Sequence, residues 1–459
     1  MMWRLKGLTA ILLLFSLSVE LTMGQRNQNC QVTNSNTESG KVDVHCDCMQ
    51  MLTQMNLRIA QLTIDQASCK ENGLEIRWRD LETRVAPETL ILANSYVSFT
   101  PRISDESWNS SIKALQFVAT EIVELPSNVF SGMTLLEEVR VLGSAIETIK
   151  SDAFSHLPTL KLVEFGNSTI VNIEENAFNN LPALEDLAFT FSSIRTIDTL
   201  AINLILPSIT QNQRCQEIGR TIPNLEDTLQ SIMGRALTST GHIPFPEYGT
   251  RLVFLGNQIT SIMTKSVNTN TFGFLIVGRN HIDNVEREAF TMELYNECEL
   301  SAALFVGNTI DTLNSLALEG LRAKAGAPNK TFISVANNTF ISVFEQAFRL
   351  SDNISIFAVE ENRFTCDCAA LGWILPGAYS QVQQELEQEL VSKATCLDGS
   401  NLVSFSSSCT DHGQPTATTV PPKNTHTMAP QQGVPQGSGT AKLTVATSIV
   451  TFIICYHFL

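Results

Sequence analysis

Positive charge is scarce in this 459-residue chain. Only 17% of residues are charged, and 30 Lys and Arg stand against 46 Asp and Glu, a formal net charge of −16. A protein that grips nucleic acid by neutralising phosphates needs the opposite balance, so no nucleic-acid partner is expected. An acidic surface suits a basic partner, or simply keeps the chain soluble. Eleven cysteines are too few for the length to make a small disulfide scaffold. Catalytic signatures are missing: there is no G-x-S-x-G, no H-E-x-x-H and no glycine-rich phosphate loop. His45, His156, His242, His281, His412, His426 and His457 are scattered without the spacing of metal ligands. No enzyme, cofactor or metal site is therefore expected. What the chain does have is apolar material, 43% of its residues, enough for a sizeable core and unlike a disordered chain.

The two ends read as targeting segments. Residues 1–24 combine Arg4 and Lys6, the apolar run Leu8–Val19 and small residues near Gly24, which is the pattern of a secretory signal. Residues 410–437 are rich in Pro, Thr, Gln and Gly and read as an extended stalk. Residues 438–459 end in the apolar run Ile449–Leu459. A small-residue cluster at Gly437-Ser438-Gly439, a polar spacer and an apolar tail make a glycosylphosphatidylinositol signal, with Gly437 or Ser438 as the attachment residue. The rival is a spanning helix, but the apolar run from Leu443 is only 17 residues and carries no basic stop. A plainly secreted form is the other alternative.

Between the ends the sequence repeats. Ile122, Ile146, Ile170 and Ile194 lie 24 residues apart, as do Phe130, Phe154 and Phe178, and Leu136, Leu160 and Leu184. One unit, LKLVEFGNSTIVNIEENAFNNLPA, begins at Leu160. Alternation around Val163 and Phe165 makes a short strand with one apolar side. The ninth position turns the chain and must satisfy backbone groups inside the coil. Ile170, Ile173, Phe178 and Leu181 then fill the interior. One unit cannot bury its own face, whereas a stack can.

Aligned on the eleventh position, ten rows appear, anchored at Val97, Ile122, Ile146, Ile170, Ile194, Ile259, Ile282, Ile310, Phe340 and Phe364. The ninth position holds Ser95, Thr120, Ser144, Ser168 and Ser192, then Asn257, Asn280, Asn308, Asn338 and Asn362. That switch from hydroxyl to amide suggests two sub-arrays, 87–197 and 249–364. Between Ile194 and Ile259 lie 65 residues, so 198–248, with Pro207, Pro223, Pro244 and Pro246, is expected to be irregular, with a short helix near Leu225–Leu237.

The unit resembles the leucine-rich repeat, L-x-x-L-x-L-x-x-N-x-L with a Phe on the far side. The resemblance implies an α/β leucine-rich repeat solenoid, with a curved parallel sheet on the concave face and loops and short helices on the convex face. Cysteines flank the array, in caps at 25–86 (Cys30, Cys46, Cys48, Cys69) and 365–409 (Cys366, Cys368, Cys396, Cys409). The segment NRFTCDCAALGWI, from Asn362 to Ile374, is similar to the C-terminal cysteine flank of extracellular leucine-rich repeat proteins. That pattern implies the pairs Cys366–Cys396 and Cys368–Cys409, with Trp373 on the open core. The N-terminal four allow three pairings, and all three stay open. Cys215 and Cys298 are left to pair with each other.

Five N-x-[ST] sequons, at Asn109, Asn167, Asn329, Asn337 and Asn353, mark glycan acceptors in a secreted chain. Asn167 and Asn337 fall on the eighth position, at the edge of the concave sheet. The central column of that sheet is the fifth position: Ile91, Gln116, Arg140, Glu164, Ala188, Val253, Ile276, Leu304, Ser334 and Ala358. In the later rows Val253, Phe274, Ile276, Leu304 and Phe332 face outward by register, forming a candidate apolar interface unless the irregular segment folds over it. The resemblance implies a cell-surface adhesion or recognition protein that binds a protein ligand, or itself, through the concave face, with a lipid anchor to the membrane. The alternative is a soluble secreted carrier or scaffold subunit.

Overall fold

A computed structural model describes residues 29–36, 41–47, 59–65, 75–77, 87–99, 111–205, 225–238, 250–294, 300–324, 330–350, 354–368, 371 and 385–409. All of them lie in one compact unit, Met1–Gln414. The unit is a leucine-rich repeat solenoid. Its concave sheet has 13 strands, from Asn29–Asn36 to Ser355–Ala358, whose order in space is their order in the chain. Every neighbouring pair is parallel except the first, Asn29–Asn36 against Lys41–Asp47. A second sheet of 12 strands runs from Glu75–Arg77 to Thr395–Cys396, and a third of six from Phe154–Ser155 to Leu321–Ala323. Where short helices were expected on the convex side, the described residues there form turns and the third sheet. A 24-residue coil already contains two strands, and Phe and β-branched side chains such as Phe178 and Ile202 suit a third extended pass.

The coil from Leu160 shows how the sequence builds each turn. In Leu162–Gly166 the side chains of Val163 and Phe165 point inward and are fully buried. The chain then bends at Asn167, with φ of 50°, and Ser168 tucks inside. Thr169–Ile173 re-enters the core with Ile170 and Ile173. Further left-handed corners fall at Asn176 and Asn180, and asparagine tolerates that conformation better than most residues.

The eleventh-position residues form one continuous ladder. Val97 pairs with Ile122, and the series continues through Ile146, Ile170, Ile194, Ile259, Ile282, Ile310 and Phe340 to Phe364. Ile76 extends it at one end and Cys396 at the other. Inside, Phe165, Phe189 and Phe254 stack with centroids 5.2 Å apart, and Phe154 stacks on Phe178 at 4.9 Å.

The ninth position carries a second, polar ladder. The Thr120 N–H donates to the Ser144 hydroxyl at 2.9 Å, and each later N–H donates to the next side chain, through Ser168 and Ser192 to Asn257 and on to Asn362. In the later rows each amide before the last, Asn362, also donates twice, to a strand carbonyl and to the following amide; Asn308 does so to the Val277 carbonyl at 2.8 Å and to Asn338 at 2.9 Å. Hydroxyl and amide rows therefore belong to one ladder. The change of side chain coincides with the long insertion but does not interrupt the stack. Regular structure also persists to Leu204, because Ile202 occupies the Phe130–Phe154–Phe178 column.

Candidate functional site

The outward side of the concave sheet carries the column of fifth-position residues. All ten fifth-position residues lie on a single ladder, from Ile91 beside Gln116 to Ser334 beside Ala358. Their surroundings differ along it. Ile91, Gln116, Arg140 and Ala188 are half-buried, whereas Val253, Ile276 and Leu304 are buried.

The cover over that second half comes from the insertion. Helix α1, Leu225–Thr238, repeats apolar residues at Leu229, Ile232, Met233 and Ala236, the spacing of a single helix face. All four are buried, while Asp227, Gln230, Ser231, Gly234 and Arg235 are exposed. The buried face forms one apolar cluster with Val253, Leu255, Phe274, Ile276, Ala302, Leu304 and Val306, against which Phe332 packs. Val253, Phe274, Ile276, Leu304 and Phe332 are thus not an open interface; that expectation is corrected. Apolar side chains on a strand surface and an amphipathic helix from the same chain satisfy one another by shared burial.

Two glycines lie beneath α1. A Cβ on Gly278 would lie 3.4 Å from the Ala236 Cβ, and one on Gly307, where φ is +70°, would lie 2.8 Å from a Leu237 methyl. Arg279 then closes the helix end. Its guanidinium donates to the Leu237 carbonyl at 3.2 Å and lies 5.4 Å from the Phe191 ring centroid. A cation at a helix C-terminus satisfies an orphan carbonyl and opposes the helix dipole favourably.

The first half of the face is polar. Arg140 lies between two carboxylates, with Nε 2.6 Å from Glu138 and Nη1 3.7 Å from Glu164. Asp186 and Arg251, neighbours in register, form a bidentate pair that bridges the insertion. Such a strip offers directional charge and hydrogen bonds. Among the described residues it holds no nucleophile with a neighbouring base.

The remaining sequence-derived residues are placed as follows. Cys366 is bonded to Cys396, with Cα atoms 5.5 Å apart, and Cys368 is also disulfide-bonded. Cys409 ends helix α3, Leu402–Cys409, which packs beside helix α2, Glu385–Lys393. Cys30 and Cys46 face each other across the N-terminal antiparallel pair. Asn167 and Asn337 are exposed, each in the left-handed corner of its row. Asn109, Asn329, Asn353, Cys48, Cys69, Cys215, Cys298, Trp373, Gly437 and Ser438 lie outside the described residues, as do the signal, stalk and anchor segments. No described helix is long and apolar enough to cross a membrane. Sequence reading placed a short helix near Leu225–Leu237 and left open that the irregular segment folds over the apolar patch, but did not use the spacing of Leu229, Ile232, Met233 and Ala236, which signals the cover. It also missed His281, Asp283 and Asp311, which converge on the second sheet.

Comparison with known proteins agrees on the repeat. Residues 102–243 match the family described as BspA type Leucine rich repeat region, in six copies. The match runs through α1, which belongs to no ladder, and stops short of the later rows, which do. No curated protein matches the chain. Among solved structures, a chain from the Toll–Spatzle complex of Drosophila, described as a molecular hub in development and innate immunity, is 12% identical. The alignment covers 73% of this chain and 65% of that one, with a TM-score of 0.19. This chain thus spans a little under two thirds of the structure it matches.

Proposed function

We propose that the protein is a non-catalytic recognition protein of the cell surface, which binds a protein partner through the first half of its concave face. The observation that supports this is the division of the face. The apolar half is occupied by the chain's own helix, while Ile91, Gln116 and Arg140 stay half-exposed, Arg140 beside paired charges. A scaffold whose central column is part covered and part open reserves the open part for contact. On this reading residues 1–24 direct secretion, the cysteine clusters cap the coil, Asn167 and Asn337 carry glycans, and residues 438–459 are exchanged for a lipid anchor.

The test has two arms. Purified ectodomain should stain partner-bearing cells, and Gln116→Arg and Ile91→Arg should each abolish staining without altering the circular dichroism. Staining unchanged in both variants would refute concave-face recognition. Phosphatidylinositol-specific phospholipase should release the protein from the cells that express it. Retention on the membrane, or its appearance in the medium untreated, would favour a spanning tail or a secreted carrier respectively.

A further inference from the structure

The histidine and carboxylates on the second sheet form a group that the concave face does not use. His281 and Asp283 are two apart on the strand His281–Val285, so their side chains share one face. The next coil brings in Asp311. Ile282 pairs with Ile310 and Asn284 with Thr312, which sets Asp283 directly beside Asp311. His281 Nε2 lies 3.3 Å from Asp283 Oδ1 and 3.6 Å from Asp311 Oδ2, and one ligand atom from each residue falls within 4.8 Å of the others.

We propose that His281, Asp283 and Asp311 bind a divalent transition-metal ion of the zinc type. Bonds of about 2.0–2.1 Å in a tetrahedral shell set neighbouring ligand atoms roughly 3.4 Å apart, close to the two N–O separations here. The donor set is mixed: one imidazole and two carboxylates suit zinc and its neighbours, whereas calcium takes six to eight oxygens. The three side chains are 45%, 41% and 42% exposed, so an ion can enter and water can complete its shell. Charge points the same way. Two carboxylates on adjacent rungs repel each other, and the described residues place no lysine or arginine in ion-pair contact with either. A dication held by all three groups offsets that repulsion. Because the ligands come from consecutive coils, the ion would also tie one turn of the solenoid to the next.

The test is calorimetric titration of the metal-stripped full chain with zinc chloride. His281→Ala and Asp311→Asn should each remove one equivalent of binding or weaken it at least tenfold. His156→Ala, on a different coil, should leave the isotherm as it is. All three side chains project into solvent, so the variants should keep the wild-type circular dichroism. Absence of saturable zinc binding by the wild type would overturn the proposal, and so would an isotherm unaffected by both His281→Ala and Asp311→Asn. Equal binding of calcium chloride that survives His281→Ala would also overturn it, by showing that the imidazole is no ligand.

Discussion

The docking of α1 on the concave sheet makes a quantitative prediction through Leu229. This side chain is fully buried and, with Ile232 and Met233, is one of the three large buried apolar residues that hold the helix down, Leu237 packing beside them partly exposed. Truncating a buried leucine to alanine costs about 3 kcal/mol, from lost transfer energy and the cavity left behind. The strands beneath have their own ladders and inner core, which Leu229 does not touch. The cost should therefore fall on undocking of the helix and not on the coil. Hydrogen exchange measured peptide by peptide separates the two. In Leu229→Ala the α1 amides should exchange about a hundredfold faster, while Leu162–Gly166 and Thr169–Ile173 keep wild-type protection. Unchanged exchange in α1 would refute the reasoning, since the helix would not depend on that contact. A uniform rise across the coil would refute it too, by making helix and solenoid one cooperative unit.

Other consequences can be checked by unfolding and titration. Asn308→Ala removes a side chain that accepts from Asn280 and donates to Val277 and Asn338. It should cost about 3 kcal/mol in urea unfolding, against about 1–2 kcal/mol for Ser168→Ala, since the amide satisfies more buried backbone groups than the hydroxyl. Replacing Cys366 and Cys396 together by serine opens a loop of sequence separation 30. Chain entropy alone predicts a loss of about 3.5 kcal/mol, read as a lower urea midpoint. Asp398 sits below the ordinary aspartate range because the Ser400 hydroxyl, and then the Ser400 N–H, donate to it. Its contribution to stability is present above the usual aspartate pKa and is lost as pH falls through the depressed value. In Ser400→Ala the carboxyl should titrate at higher pH, which carboxyl chemical shifts will show.

Much of this is legible in the sequence. Columns with a strict spacing, such as Ile122 to Ile194, report a coil whose turns have equal length. The ninth-position side chains report the same coil by a different chemistry, hydrogen bonding, so the two readings check each other. The pattern faded where chemistry changed without geometry changing. Ile202 stands where Phe would be read, so the spacing alone ends the coil early. The cover over Val253, Ile276 and Leu304 was harder. Periodicity shows that these residues face outward and that α1 has an apolar stripe, but it does not say which surface that stripe seeks. Charge decides it, because the other half of the sheet carries Glu138, Arg140 and Glu164. His281 has no ligand spacing along the chain because Asp311 reaches it across rungs. Only the alignment of Ile282 with Ile310 brings the two together.

The bidentate pair between Asp186 and Arg251 has a wider consequence. It joins neighbouring rungs whose residues are 65 apart in the chain, where the other rungs of the repeat array are 23 to 30 apart. The detour leaves from the third side of the coil and returns without shifting the register. Loop closure becomes only slightly costlier as a segment lengthens. That site is accordingly a port, through which cargo of different lengths could be spliced while the scaffold stays as it is. What covers the apolar half of the concave sheet is thus physically separable from what builds it.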